Sequence, residues 1–194
     1  TILCDNRQTY SFRTRMQLSD YINQALKNIQ RGAVDRKSKF RFPVLASFTD
    51  SSVSQRIVIA RKFNEEQKSL VIFTDEKSQK FTELKNNAHC SLLFWDAGKK
   101  MQVSVNGHAH ILSKEDAQQY WQNLSDIQKK DYQINPPPKS IIETHNAYEF
   151  DTSMNRFTVI EIFFQDLDIL VLSNNGHQRA NYNIKSLEQS WVTP

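Results

Sequence analysis

Cysteine is scarce in this chain of 194 residues, which holds only Cys4 and Cys90. They lie far apart and outside any CxxC spacing. That excludes a disulfide framework and a Cys-based zinc site, and it suits a reducing cytoplasm. No apolar run is long enough for a membrane helix, and no signal-peptide pattern occurs, so the expectation is a cytoplasmic protein without a membrane partner. Internal repeats and low-complexity segments are absent too. No motif sets a serine beside a His and an Asp, which argues against a nucleophilic triad. Charge of one sign is in small excess: 25 Lys and Arg against 21 Asp and Glu, a formal net charge of +4. A solvated surface accounts for that balance, so no nucleic-acid partner is expected.

What is present is a β-rich apolar pattern, 39% hydrophobic, whose aromatics are mostly Phe. The length fits one domain with a real core. A helix is expected over Gln17–Gln30, where Leu18, Tyr21, Ile22, Ala25, Leu26 and Ile29 share a face and Gly32 suits the stop. Residues 1–14 read as irregular, and 1–39 as a helical lead-in. Strands follow at FRFPVLASF, at Gln55–Phe63 after a turn over Asp50–Ser54, at Ser69–Thr74, at His89–Trp95 and at Lys100–Leu112. Ser78 can cap a short helix with Phe81 and Leu84 inward. Another helix starts at Ser113 and buries Ala117, Tyr120, Trp121, Leu124 and Ile127. Tyr132–Asp151, with its proline run, is expected to be a long loop. Two closing strands, Arg156–Phe164 and Leu167–Leu172, and a short one at His177–Asn183 complete the chain. The predicted fold is mainly β with appended helices (α+β), an antiparallel barrel with core strands over 40–112.

The polar residues between these strands are of the kinds that hold a phosphate. The run from Thr74 through Ser78 and Gln79 to Lys80 puts hydroxyls, a lysine and free helix amides at one strand-to-helix junction. Taken alone, it reads first as an N-capped surface helix with a lysine in its first turn. Arg56 and Arg61 are five residues apart, so a flat strand sends them to opposite faces, Arg56 with Val58 and Ala60, Arg61 with Ile57 and Ile59. One could bind a phosphate and the other a ring or substrate; both could also snorkel to water. Gln102 interrupts an apolar strand with an amide able to donate to and accept from a heteroaromatic edge. His108 and His110 share a strand face but lack a Cys, Asp or Glu at ligand spacing, so no metal site is expected.

The order QRIVIAR, IFTD, KSQK, MQVSVNG, followed by DILVLSNNGHQRANY, resembles the FMN-binding split-barrel superfamily typified by pyridoxamine 5'-phosphate oxidase, in its oxidase-related branch. The similarity runs from about Phe42 to Tyr182. It implies an antiparallel split β-barrel, a homodimer with FMN at the subunit interface, and oxidoreductase activity on a small-molecule substrate; the alternative is a non-catalytic flavin-binding module of the same fold. Carried over by motif, Arg56 and Lys80 hold the FMN phosphate, helped by Ser78 and Gln79. The backbone of Ile57 and Val58 lies along the flavin, Phe73 and Thr74 line the site, and Gln102 meets the ring's polar edge. Arg61 and His177 stand beside the reactive face. Arg179, with Lys139 or Ser140, completes the site from the partner subunit. This chain departs from the oxidase pattern: Gln79 stands where it has an arginine, Asn175 where an arginine grips the vitamer phosphate, a Trp expected in the penultimate strand is replaced around Ile169, and the loop INPPPKSI has no close match.

Overall fold

The computed structural model describes residues 17–49 and 51–194. The lead over residues 1–14, Cys4, and Asp50 of the expected turn lie outside them. Helix α1 (Leu18–Val34) buries Tyr21, Ile22, Ala25 and Ile29 at helical spacing. It runs past the expected stop, because Gly32 serves contact rather than termination. A Cβ there would sit 2.5 Å from the carbonyl oxygen of Phe40, so only glycine lets α1 touch the 3-10 turn Lys39–Arg41 backbone to backbone. Arg41 closes the helix end instead, donating from Nη1 to the carbonyl of Ala33 at 2.7 Å and to that of Ala60 at 2.8 Å.

Strands β1 (Val44–Phe48), β2 (Val53–Ile57), β3 (Lys62–Asn64) and β4 (Ser69–Asp75) come next. The run expected as one strand, Gln55–Phe63, is thus two. It pairs with β1 as far as Ile57 and with β4 from Lys62. Between them the Val58 N–H donates to Pro43 O and the Arg61 N–H to Val71 O, both at 2.9 Å. A path that changes partner has to bend, and the ladder breaks where it does.

After helix α2 (Gln79–Asn86) come β5 (His89–Asp96) and β6 (Met101–Ile111), then α3 (Lys114–Gln122) and α4 (Asp126–Lys130). The expected stripe on α3 ends early. Ser125 caps α4 by accepting from the Gln128 N–H, and the new helix direction leaves Ile127 79% exposed. The expected loop contains a two-stranded flap, β7 (Ile134–Asn135) with β8 (Glu149–Phe150).

The two closing strands are one, β9 (Phe157–Val171), continuous because β6 pairs with it along both halves. Its other edge takes β4 over Phe157–Phe163 and β10 (Gln178–Asn183) over Asp166–Val171. The pairings therefore run β2, β1, β5, β6, β9, β4, β3, and the chain itself carries β2 into β3 through residues 58–61, with β10 and β11 (Gln189–Val192) splayed off β9. This is the expected antiparallel split barrel. A register slip between Asn106 and Gly107 relieves the bend in β6. Strand β11 escaped the sequence reading because its residues are largely exposed and show no period of two.

Alternation along β4 separates two cores. Leu70 and Ile72 point into the barrel with Leu45, Leu92, Val103 and Ile162. Val71 points outward into a second cluster with Phe157, Val159, Ala117 and Tyr132, roofed by α3 and packed by Phe73 and Trp121. No helix among the described residues is long and apolar enough to cross a membrane.

Candidate functional site

Ser78 begins α2 in extended backbone, so the helix amides open toward the end of β4. Its hydroxyl does not cap the helix as expected; it bonds Thr74 Oγ1 at 2.9 Å. Lys80 donates to the same Thr74 oxygen at 3.1 Å. From β2, Arg56 reaches this junction and pairs with Glu83 of α2, Nη2 to Oε2 at 2.6 Å, while also donating to the hydroxyls of Ser54 and Ser47. Gln79 bridges the helix, its Nε2 donating to Glu83 Oε1 at 2.6 Å. Its Oε1 accepts from Lys139 Nζ, which the segment between β7 and β8 carries in the same chain. Ser54, Gln55, Arg56, Ser78, Gln79, Lys80, Pro138 and Lys139 enclose a cavity of about 260 Å³.

The electrostatics of this cradle favour an anion. Burial, followed by the charge of Arg56, pulls the Lys80 ammonium below its ordinary value of 10.5. No carboxylate pairs with Lys80 among the described residues. Burial pushes the Glu83 carboxyl up, but hydrogen bonds from Ser47 and Arg56 outweigh it and hold the group below the ordinary carboxylate range. Glu83 therefore stays charged and fixes Arg56 in place. Sequence reasoning missed Glu83, although its i+4 spacing from Gln79 was visible. Ser54, two residues before Arg56 on β2, shares its face by strand alternation and was open to sequence reasoning, whereas Ser47 carried no signal, since only the β1–β2 register brings it to Arg56.

The other expected site residues fall into two further groups. Arg61 leaves the barrel wall on the side opposite to Arg56. Its guanidinium lies 5.0 Å from the Phe73 ring, and its Nε is buried without a partner. Phe73 packs edge-on against Tyr120 and Phe157. Tyr132 stands close by; burial pushes its hydroxyl up to about 12, the Arg61 charge opposing. Thr74 faces the cradle and Phe73 the α3 side, so the two do not line one surface. The Val58 N–H is committed to Pro43, so of the expected backbone pair only Ile57, 67% exposed, presents itself outward.

The third group lies on the sheet's outer face. Gln102 pairs with Trp95 on one side and Leu170 on the other, and Leu170 pairs with Arg179. Arg179 grips Asp168 with two nitrogens, Nε to Oδ1 at 2.9 Å and Nη2 to Oδ2 at 2.6 Å. His177 is exposed, its Nδ1 accepting from the Ser173 N–H at 3.2 Å. One chain does not unite Arg61 with His177. Val71, which holds the Arg61 N–H, pairs with Glu161, whereas His177 lies beyond Val171, on the order of 33 Å farther along β9 at about 3.3 Å per residue. Ser140 is exposed and outside the cradle, next to Lys139. His108 meets His89 edge-on at 5.4 Å, and no cluster of three metal-ligating side chains occurs among the described residues.

A split antiparallel barrel with a cationic pocket at a strand-to-helix junction defines the class of protein. The particular family follows from comparison: the family described as pyridoxamine 5'-phosphate oxidase matches residues 33–166, and the chain belongs to it. Among curated relatives, the pyridoxine/pyridoxamine 5'-phosphate oxidase of Shewanella amazonensis is 43% identical over 67 residues, 34% of this chain and 31% of that protein. The enzyme of the same name from Trichormus variabilis is 31% identical over 78 residues, 40% of this chain and 36% of that one. The matched stretch thus spans about a third of the length of these relatives. Among solved structures, a pyridoxamine 5'-phosphate oxidase-related, FMN-binding protein from Nostoc punctiforme superposes with a TM-score of 0.72 at 19% identity, covering 92% of this chain and 100% of that one. PhzG from Burkholderia lata, solved with tetrahydrophenazine-1-carboxylic acid, superposes at 0.65 and 15% identity, covering 91% and 90%. These two likenesses establish the fold.

Proposed function

We propose that this chain is an FMN-dependent oxidoreductase of the oxidase-related branch, acting as a homodimer with flavin at the junction of two copies. The observation that carries the reading is the convergence of Arg56, Ser78, Lys80 and the α2 amides on one cavity, in a chain of this family. The residues present fit a phosphate-bearing group: a partly desolvated lysine with no carboxylate partner among the described residues is the kind of cation a bound anion relieves. The cavity, at about 260 Å³, lies below the range of about 300–1,000 Å³ that takes a whole drug-sized ligand. It suits the phosphate end of FMN, with the ring lying outside it.

A second copy is the natural source of the remaining wall. Phe48, Val53, Ile57, Leu93 and Trp95 are 39–67% exposed and, by strand alternation, share the outer sheet face with Gln102. Pairing two such faces would bury them and could carry Arg179 and His177 of one copy toward the cradle of the other. When bound, the flavin supplies the electron or hydride chemistry. The chain's own residues hold and orient: Arg56 and Lys80 neutralise the phosphate, Gln102 addresses the polar edge of the ring, and Arg61 and His177 are the groups placed beside substrate. The buried thiol of Cys90, pushed up to about 12 by burial, is inert and compatible with a cytoplasmic setting.

The test is the visible spectrum of the purified protein, with FMN and riboflavin titrations followed by flavin fluorescence. A colourless protein that quenches neither flavin ends this reading. Turnover of pyridoxamine 5'-phosphate is expected to be weak or absent because Asn175 lacks the arginine's charge, and Asn175→Arg should tighten binding of that ester. Flavin bound without turnover of any amine or alcohol substrate would mark the non-catalytic module instead.

A further inference from the structure

We propose that the corner where the end of α1 meets the turn between β5 and β6 is a second anion site, taking the phosphoryl end of a small molecule. It stands apart from the flavin cradle and does not depend on the flavin reading.

The positive excess of this chain is concentrated, not spread. Residues 31–41, RGAVDRKSKFR, hold five Lys and Arg against one Asp, a net +4 that equals the formal charge of the whole chain. The other residues balance at 20 of each sign. Folding then adds Lys99 from the β5–β6 turn, 60 residues beyond Lys39. Arg31, Lys37, Lys39 and Lys99 wall one cavity of about 220 Å³, together with Ser38 and the buried Asn28.

Local structure employs some of these cations. Arg31 pairs with Asp35, Nε to Oδ2 at 2.9 Å, and Arg41 closes the helix. Cations at a helix C-terminus also answer its dipole. Lys37, Lys39 and Lys99 are not spent this way, since none has a carboxylate within ion-pair distance among the described residues. Lys99 donates instead to a neutral amide, Asn28 Oδ1, at 2.6 Å. A lysine can only donate, so that contact turns the Asn28 nitrogen toward Met101 Sδ, a weak acceptor at 3.3 Å. Asp96 is the one acid on the wall, and its Oδ1 accepts from the Gly98 and Lys99 amides of its own turn. Ser38 Oγ accepts from the Phe40 N–H at 3.3 Å, which leaves its own hydrogen to donate.

The four wall cations, set against Asp96 and against Asp35 on Arg31, leave two net positive charges. A phosphoryl group carries about −1.5 to −2 at neutral pH, and lysines meet it as point charges. The accumulated charge reaches farther: burial, then the charges of Arg61 and Arg36, pull the Arg41 guanidinium below its ordinary 12.5. The cavity is smaller than the range of about 300–1,000 Å³ that encloses a drug-sized ligand. It admits the phosphoryl end, and the rest of the molecule extends past the exposed lysines.

The experiment titrates pyrophosphate by calorimetry into the full-length wild-type, Lys37→Ala/Lys99→Ala, Lys62→Ala/Lys85→Ala and Lys80→Met proteins, with melts to confirm folding. A short oligothymidine serves as a second probe. Lys37→Ala/Lys99→Ala is expected to weaken pyrophosphate at least about tenfold, the effect of losing two exposed charge-assisted contacts. Lys62→Ala/Lys85→Ala removes the same charge elsewhere, and Lys80→Met disables the cradle; both should keep a site of wild-type affinity. Wild-type protein that binds no pyrophosphate overturns the assignment. Equal loss in the two lysine pairs would show general charge attraction only and overturns it as well. Loss confined to Lys80→Met places the anion in the cradle and does the same. An oligothymidine that binds through Lys37 and Lys99 more tightly than pyrophosphate would make the corner a nucleic-acid surface and refute the small-molecule site.

Discussion

Arg56 does two jobs that one pair of substitutions can separate. Its side chain is 19% exposed and Glu83 only 5%, so the ion pair between them is largely buried. Replacing Arg56 by Met keeps the volume of the stem and removes the charge. Glu83 is then left as a buried carboxylate with only Ser47 and Gln79 to bond it. Breaking a buried pair from one side costs about 3–5 kcal/mol, and the residual exposure of Arg56 reduces this to about 2–4 kcal/mol. For a chain of this length the melting temperature should fall by roughly 5–15 °C. Adding Glu83→Gln removes the stranded charge, so Arg56→Met/Glu83→Gln should recover most of that stability. FMN affinity should behave differently. Losing a charge-assisted contact worth about 1.5–3 kcal/mol weakens binding by about ten- to a hundredfold in the single variant, and the double variant should not regain it. Thermal melts with FMN titrations read both effects. A double variant that binds FMN like wild type refutes Arg56 as a phosphate ligand. A single variant that melts like wild type refutes the buried pair.

Lys80 gives a pH signature whose sign follows from its lowered pKa. Between that value and 10.5 the unfolded chain binds the proton that the folded chain has lost, so stability without ligand should rise with pH across the window. FMN favours the protonated lysine, so its affinity should fall over the same window, and Lys80→Met should flatten both trends in melts and titrations. Glu83, held below its ordinary 4.5, contributes stability that is lost as pH falls through its folded value; Glu83→Gln lacks that contribution at every pH, so it should lower stability at neutral pH, flatten the acid loss and move the acid unfolding midpoint upward. Gly107→Ala would place a Cβ 2.8 Å from Ile162 Cγ2 and 2.9 Å from the Phe163 carbonyl oxygen, and should cost about 1–3 kcal/mol by denaturant titration. If the exposed sheet face joins two copies as proposed, Trp95→Lys should convert the proposed dimer to monomer in sedimentation; an unchanged sedimentation coefficient would move the interface elsewhere.

Local pattern made much of this protein legible before any coordinates. The period of 3.6 in α1, the alternation MQVSV in β6 and the Ser78 start of α2 each follow from neighbours within a turn or a hairpin, where backbone geometry and burial repeat on a short scale. The Arg56–Ser78–Lys80 cluster was legible too, because motif order carries a family's spatial arrangement. What local pattern could not show was which partner each edge would take. The bend that divides Gln55–Phe63 into β2 and β3 arises because that run leaves β1 for β4. The unbroken β9 arises because β6 spans a boundary that looked like a turn. The same holds at the site: Glu83 and Ser47 meet Arg56, and Lys139 meets Gln79, across separations of 27, 9 and 60 residues, and closing such loops is decided by the assembled core, not by anything near those residues in the chain.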